Sequence, residues 1–312
     1  MSEKSVESDE ILLTVDRRQV RVSPFGASLR GFHETGEDGK VHPIVTGYSG
    51  TTNKVGGQGD VLIPFPGRIR DGRYSFDGND YALERNDKDG PNAIHGFLRT
   101  KHWETTERTD DMVRFSVTLG PEERPGYPFA LMATVRYSLT PEEGLTCAFK
   151  VTNTGDRRAP VAAGFHPYFT VGTETIDDNL LYLPFESYLE FENLLPTGEV
   201  SGVGGTSFDF RSPRPIGTTV FNTCFADPVR DTDGFARVRL SSADGGRTIT
   251  VRMDEAFGYV VLYSGDPLPE THRRRSLAIE PMTCASDGFN RPEWGLARLE
   301  PGETLTGVWG VL

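Results

Sequence analysis

The sequence predicts an all-β protein, built as a single large antiparallel β-sandwich with few, short helices. Three observations predict it. Apolar and polar residues alternate with period two in one segment after another. Turn clusters separate those segments, and no stretch of about a dozen residues carries an apolar stripe with a 3.6-residue period.

In chain order the strand-like segments are 11–15, 20–23, 113–119, 130–139, 145–153, 238–241, 248–253, 259–264 and 304–312. The clearest is the fifth, where Leu145, Cys147, Phe149 and Val151 face one way and Thr146, Ala148, Lys150 and Thr152 the other. Asp77-Gly78, Pro141 to Gly144 and Asp244-Gly245-Gly246 supply turn chemistry between strands. The 35 glycines and 21 prolines punctuate many strands but follow no period, which disfavours a propeller. No shift of composition marks a linker, and the stretches 30–60 and 193–217, expected to be rich in loops, are glycine-rich but bounded by strand-like segments on both sides. Residues 1–312 are therefore expected to form one domain, with 1–10 flexible.

A net charge of -12 argues against nucleic acid or an anionic membrane surface as partner. The three cysteines, Cys147, Cys224 and Cys284, are scattered and form no CxxC pair. That disfavours a disulfide framework or a thiolate metal site and fits a reducing cytoplasm. The opening ten residues are polar and acidic, and no apolar run approaches a membrane span, so neither a signal peptide nor a spanning helix is expected.

Four places carry candidate chemistry. In Val161 to Val171, alternation puts Val161, Ala163, Phe165, Phe169 and Val171 on a core face, with Ala162, Gly164, His166, Tyr168 and Thr170 opposite. The small residues before His166 leave room beside its imidazole, and Pro167 removes a ladder donor directly after it. A buried histidine satisfied by a neighbour fits this stretch equally well. In Ser276 to Thr283, Leu277 and Ile279 take the core face while Ser276, Ala278 and Glu280 lie opposite, again ahead of a proline. A carboxylate at such a place is costly to bury unless it is paired or functional, and its pKa would rise. Arg68 follows the double-proline turn Pro64-Phe65-Pro66-Gly67, where a guanidinium can offer two parallel donors. His95 follows Gly90-Pro91-Asn92 and precedes Gly96. The six histidines show no HxH, HxxxH or HExxH spacing, so no metal site is expected. Val55-Gly56-Gly57-Gln58-Gly59 lacks the Lys-Ser/Thr of a P-loop and is weak as a phosphate cradle.

Taken together and in order, these places resemble the aldose 1-epimerases, or galactose mutarotases. Pro66-Gly67-Arg68-Ile69, Gly72 to Gly78, Pro91 to Gly96, Gly126-Tyr127-Pro128, His166-Pro167-Tyr168-Phe169, Ala278-Ile279-Glu280-Pro281 and Leu299 to Glu303 match successive motifs of that family. The resemblance runs from about residue 11 to the C-terminus. It implies a sandwich of the galactose mutarotase type and a cofactor-free enzyme that interconverts the α and β anomers of a free aldohexose. It further implies Glu280 as general base and His166 as general acid. Arg68 and His95 would hold sugar oxygens, with Tyr168 and Asn222 among the sugar contacts. A pyranose ring is expected between or beside Glu280 and His166. The partner is a small sugar, and the protein is expected to be a monomer or homodimer.

Departures from the family pattern leave two alternatives. Asn222 stands where the family commonly has an aspartate, with Asp227 a nearby substitute, and Gly164 stands where many members have asparagine. A non-catalytic carbohydrate-binding protein on the same fold would also carry such changes. His95-Gly96-Phe97-Leu98-Arg99 resembles relatives that act on hexose 6-phosphates, with Arg99 placed to meet a phosphate.

Overall fold

The computed structural model describes residues 10–48, 50 and 54–312; apart from Glu10, the stretch expected to be flexible lies outside the described residues. Among the described residues, every element longer than three residues is a β-strand, and the three helical turns, Arg70–Gly72, Leu98–Thr100 and Pro292–Trp294, span three residues each. No described helix is long and apolar enough to cross a membrane.

Two large antiparallel sheets face each other. One has twelve strands, and its main path runs Ile11–Val15, Arg18–Ser23, Ser28–Thr35, Val41–Thr46, Tyr168–Phe169, Leu277–Met282, Tyr259–Tyr263, Asn222–Pro228, Phe185–Glu192 and Leu195–Gly202. The other has nine, centred on Leu131–Thr140, Gly144–Asn153 and Thr304–Val311. The period-two segments named above all become strands, because alternation buries one face of each against the facing sheet. Phe165 of the first sheet meets Phe149 and Trp309 of the second at ring-centroid distances of 5.7 and 5.6 Å. Truncating such a buried aromatic typically costs about 3–5 kcal/mol. Phe165 thus pins the backbone next to His166 onto the opposite sheet.

The stretch 161–171 is more broken than a single strand interrupted once. It contributes Ala159–Val161 to a small sheet, then Gly164–Phe165 and Tyr168–Phe169 to the large one. Both of the latter pair with Leu277–Met282, Gly164 opposite Met282 and Tyr168 opposite Ala278. Counting inward from either rung places His166 opposite Glu280. The rung between them is missing because neither Pro167 nor Pro281 has an N–H to give, and the His166 backbone pairs with Gly59 and Asp60 instead.

Candidate functional site

The register of the twelve-stranded sheet builds the floor of the site. Glu280 pairs with Val261, and Val261 with Cys224, so His166, Glu280, Val261 and Cys224 lie in one row across the sheet. Two residues further along, Tyr168, Ala278, Tyr263 and Asn222 form the next row on the same face. Loops cover this face and enclose a cavity of about 720 Å³ lined by His166, Glu280, Arg68, His95, Asn222 and Arg99, among others. Five of the six residues expected at the site thus converge from five separated segments.

His166 and Glu280 are in contact, with Nε2 3.3 Å from Oε1, and both are almost fully buried. A ring cannot lie between them, so a sugar can only lie beside them. Loss of water drives the two groups in opposite directions. It pushes the Glu280 carboxyl well above its ordinary 4.5, with Arg68 opposing and Asp60 reinforcing the shift. It pushes His166 from 6.5 down to about 3, helped by the nearby Arg99 and Lys54 cations. Both shifts favour uncharged forms, so at rest the carboxyl of Glu280 carries the proton and the imidazole of His166 is neutral.

His95 sits at φ 63, a left-handed conformation that histidine tolerates better than most residues. Its Nδ1 accepts a hydrogen bond from the Gly67 N–H at 3.2 Å, which places the proton of the neutral ring on Nε2. Neutrality is favoured by loss of water and then by the adjacent His166, which holds His95 well below 6.5. Its ring meets that of His166 edge-on, 5.6 Å between centroids. Arg68 is held at its backbone by Ser286 Oγ, which accepts from its N–H at 2.9 Å. Its Nε donates to Asp87 Oδ2 at 2.7 Å. Burial raises the Asp87 carboxyl, but Arg68, the Asp89 N–H and Asn92 outweigh it and leave the pKa lowered.

Two expectations need correction. Tyr168 was expected to contact sugar, and it does share the cavity face with His166. Its hydroxyl, however, donates to the Gly56 carbonyl at 2.6 Å, and its ring stacks on His166 at 5.2 Å and 12°. At 2 % exposure it holds His166 in place and is not among the residues that line the cavity. Asp227 does not substitute for Asn222. It lines a separate surface depression and accepts a hydrogen bond from Ser187 Oγ.

Sequence reasoning missed the supporting charges and undervalued the glycines. Asp60 is fully buried and paired with both Lys54 and Arg99. No motif marks it, because the three residues meet only after folding. At Gly57 (φ 75) a Cβ would lie 2.9 Å from His166 Cδ2, so the loop dismissed as a phosphate cradle packs directly on the imidazole. Tyr263, opposite Asn222, was read only as part of a strand.

A two-sheet antiparallel sandwich with a cavity floored by titratable side chains on one face of the larger sheet defines a galactose mutarotase-like fold. Among solved structures, the GalM/aldose epimerase homologue from C. elegans superposes with a TM-score of 0.85 at 22 % identity, covering 98 % of this chain and 99 % of that one. The chain belongs to the aldose 1-epimerase family, whose model matches residues 9–310. It is thereby an enzyme of the isomerase class. The galactose mutarotase of Mus musculus is 27 % identical over 322 residues, covering 95 % of this chain and 91 % of the relative. The uncharacterised protein YihR of Escherichia coli (strain K12) is 31 % identical over 233 residues, covering 74 % and 71 %.

Proposed function

We propose that the protein is a cofactor-independent aldose 1-epimerase acting on a free aldohexose, with Glu280 as base and His166 as acid. The observation that carries this reading is the 3.3 Å contact between the two groups in the floor of the cavity. O1 and O5 of a pyranose are bonded to the same carbon, so two groups at this spacing can address both at once. Moving the shared proton from Glu280 to His166 prepares the pair. The carboxylate then takes the O1 proton while the imidazolium gives its proton to O5. The C1–O5 bond breaks and the C1–O1 bond becomes the aldehyde. Rotation about C1–C2 and the reverse transfers close the other anomer, and the pair ends with the proton count it began with. Each positioned transfer is worth about 10²–10⁴-fold. His95 Nε2–H and Arg68 are among the donors available to ring and hydroxyl oxygens.

Polarimetry on freshly dissolved α-glucose and α-galactose tests the reading. Faster mutarotation that disappears in Glu280→Gln supports it. Saturable sugar binding with no acceleration would instead identify a carbohydrate-binding protein.

One observation favours a second reading, a hexose-6-phosphate 1-epimerase. Lys54 and Arg99 share the single carboxylate of Asp60, both line the cavity, and both act electrostatically on His166. If His166 serves O5, a substituent on C6 lies on the side of these cations. A preference for glucose 6-phosphate over glucose of more than about tenfold, lost in Arg99→Ala, would select this reading.

A further inference from the structure

The hairpin formed by Phe185–Glu192 and Leu195–Gly202 ends the large sheet and reaches over the cavity, where Phe191 and Leu194 join its lining. Glu192 pairs with Leu195, which leaves a two-residue turn, Asn193-Leu194. Both residues have positive φ, 50 and 65, as a type I′ turn requires. Asn193 suits its position. Leu194 does not: the second place of such a turn is ordinarily glycine, and a bulky side chain there is a conformational outlier. The ladder also shifts register between Leu189 and Phe191, and irregularities of this kind re-aim side chains. Two local departures from regular structure thus accompany two apolar side chains on one cavity wall.

The returning strand is clamped from the side that carries Arg68. Arg70 Nη2 donates to the Pro196 carbonyl at 3.3 Å, and Arg291 Nη2 to that of Thr197 at 3.2 Å. Gly198, at φ 110, sits so close to the Arg291 guanidinium that a Cβ would lie 2.8 Å from Nη2. The hairpin is therefore fixed relative to the Arg68 wall. Strain held by a rigid surround at a cavity points to a use for the strained side chain.

We propose that Leu194, backed by Phe191, is a specificity-determining residue that packs on the C–H face of the pyranose while His166 and Glu280 engage the O1–C1–O5 edge. This rests on the anomerase reading of the site. An axial hydroxyl on that face would be left against Leu194 without a partner, so the wall discriminates among sugar epimers.

The test compares the full chain with Leu194→Gly, using NMR anomer exchange of glucose and galactose and thermal unfolding. Glycine suits the turn better, so Tm should stay the same or rise. KM should rise about tenfold with kcat nearly unchanged, as for lost binding common to ground and transition states, and the glucose-to-galactose ratio should narrow. Leu194→Met should restore KM. Normal turnover with unaltered KM and sugar preference in Leu194→Gly would overturn the role of Leu194 alone, as would a fall of kcat and Tm together. Absence of turnover in the unaltered chain would overturn the activity and this inference with it.

Discussion

His166 and Glu280 meet across an unmade rung of a β-ladder, Nε2 3.3 Å from Oε1, with paired rungs on either side at Gly164–Met282 and Tyr168–Ala278. The register sets the two residues opposite each other, and Tyr168 stacked on the imidazole and Gly57 packed against it hold the ring there.

Glu280→Gln should abolish accelerated mutarotation, a fall of roughly 10²–10⁴-fold, and at the same time stabilise the fold. The folded-state pKa of Glu280 is raised, so the stability associated with its protonated form is intact below the ordinary 4.5. It is lost progressively as pH rises from there to the folded-state value. Each pH unit of difference is worth about 1.4 kcal/mol. The Tm advantage of the variant should therefore be near zero at about pH 4.5 and grow toward neutrality. A variant that is equally stable at both pH values would contradict this.

The pH profile follows from the shared proton. Activity needs the pair with one proton, so it should fall when pH rises past the raised value of Glu280. It should also fall when pH drops past the depressed value of His166, about 3. The profile of kcat/KM should then show no acid limb at 6.5, the ordinary histidine value. An acid limb near 6.5 would mean that the imidazole titrates as if in water.

Asp87→Asn should loosen Arg68. Its carboxylate accepts from Arg68 Nε and from Asn92 Nδ2, and its side chain is 2 % exposed. Hydrogen bonds to charged groups are worth about 1.5–3 kcal/mol, so unfolding in denaturant should shift by roughly that amount. KM should rise about tenfold, with a smaller change in kcat. An unchanged KM would show that Arg68 needs no such partner.

Gly57→Ala should damage catalysis through His166. The new Cβ would press on Cδ2 at a backbone angle that already disfavours side chains, φ 75. Turnover should drop about 10²-fold, as for a misplacement near 1 Å. Gly217→Ala is the control, since φ there is 58 and nothing lies within 4 Å of the added carbon. It should cost about 1–2 kcal/mol of stability and leave turnover intact. Equal loss of activity in the two variants would refute a specific contact with the imidazole.

By itself, the sequence marked nine of the strands and pointed to the residues proposed to carry chemistry. Alternation specifies a buried face whatever the partner strand, so 145–153 and 304–312 were legible as strands, and Leu277 and Ile279 as core neighbours of Glu280. The order of motifs was enough to single out Arg68, His95, His166, Asn222 and Glu280. Only the tertiary structure decided what each group touches. Period-two reasoning puts Tyr168 on the cavity face, but whether its hydroxyl meets sugar or the Gly56 carbonyl depends on a loop more than a hundred residues away in sequence. Arg99 stood out in the sequence, but Asp60 belongs to no motif, and its pairing with both Lys54 and Arg99 appears only in the folded chain. The opening pair shows the same division. Its two residues stand out separately as titratable groups among small neighbours, whereas their contact comes from the register of Leu277–Met282 against the strands flanking Pro167.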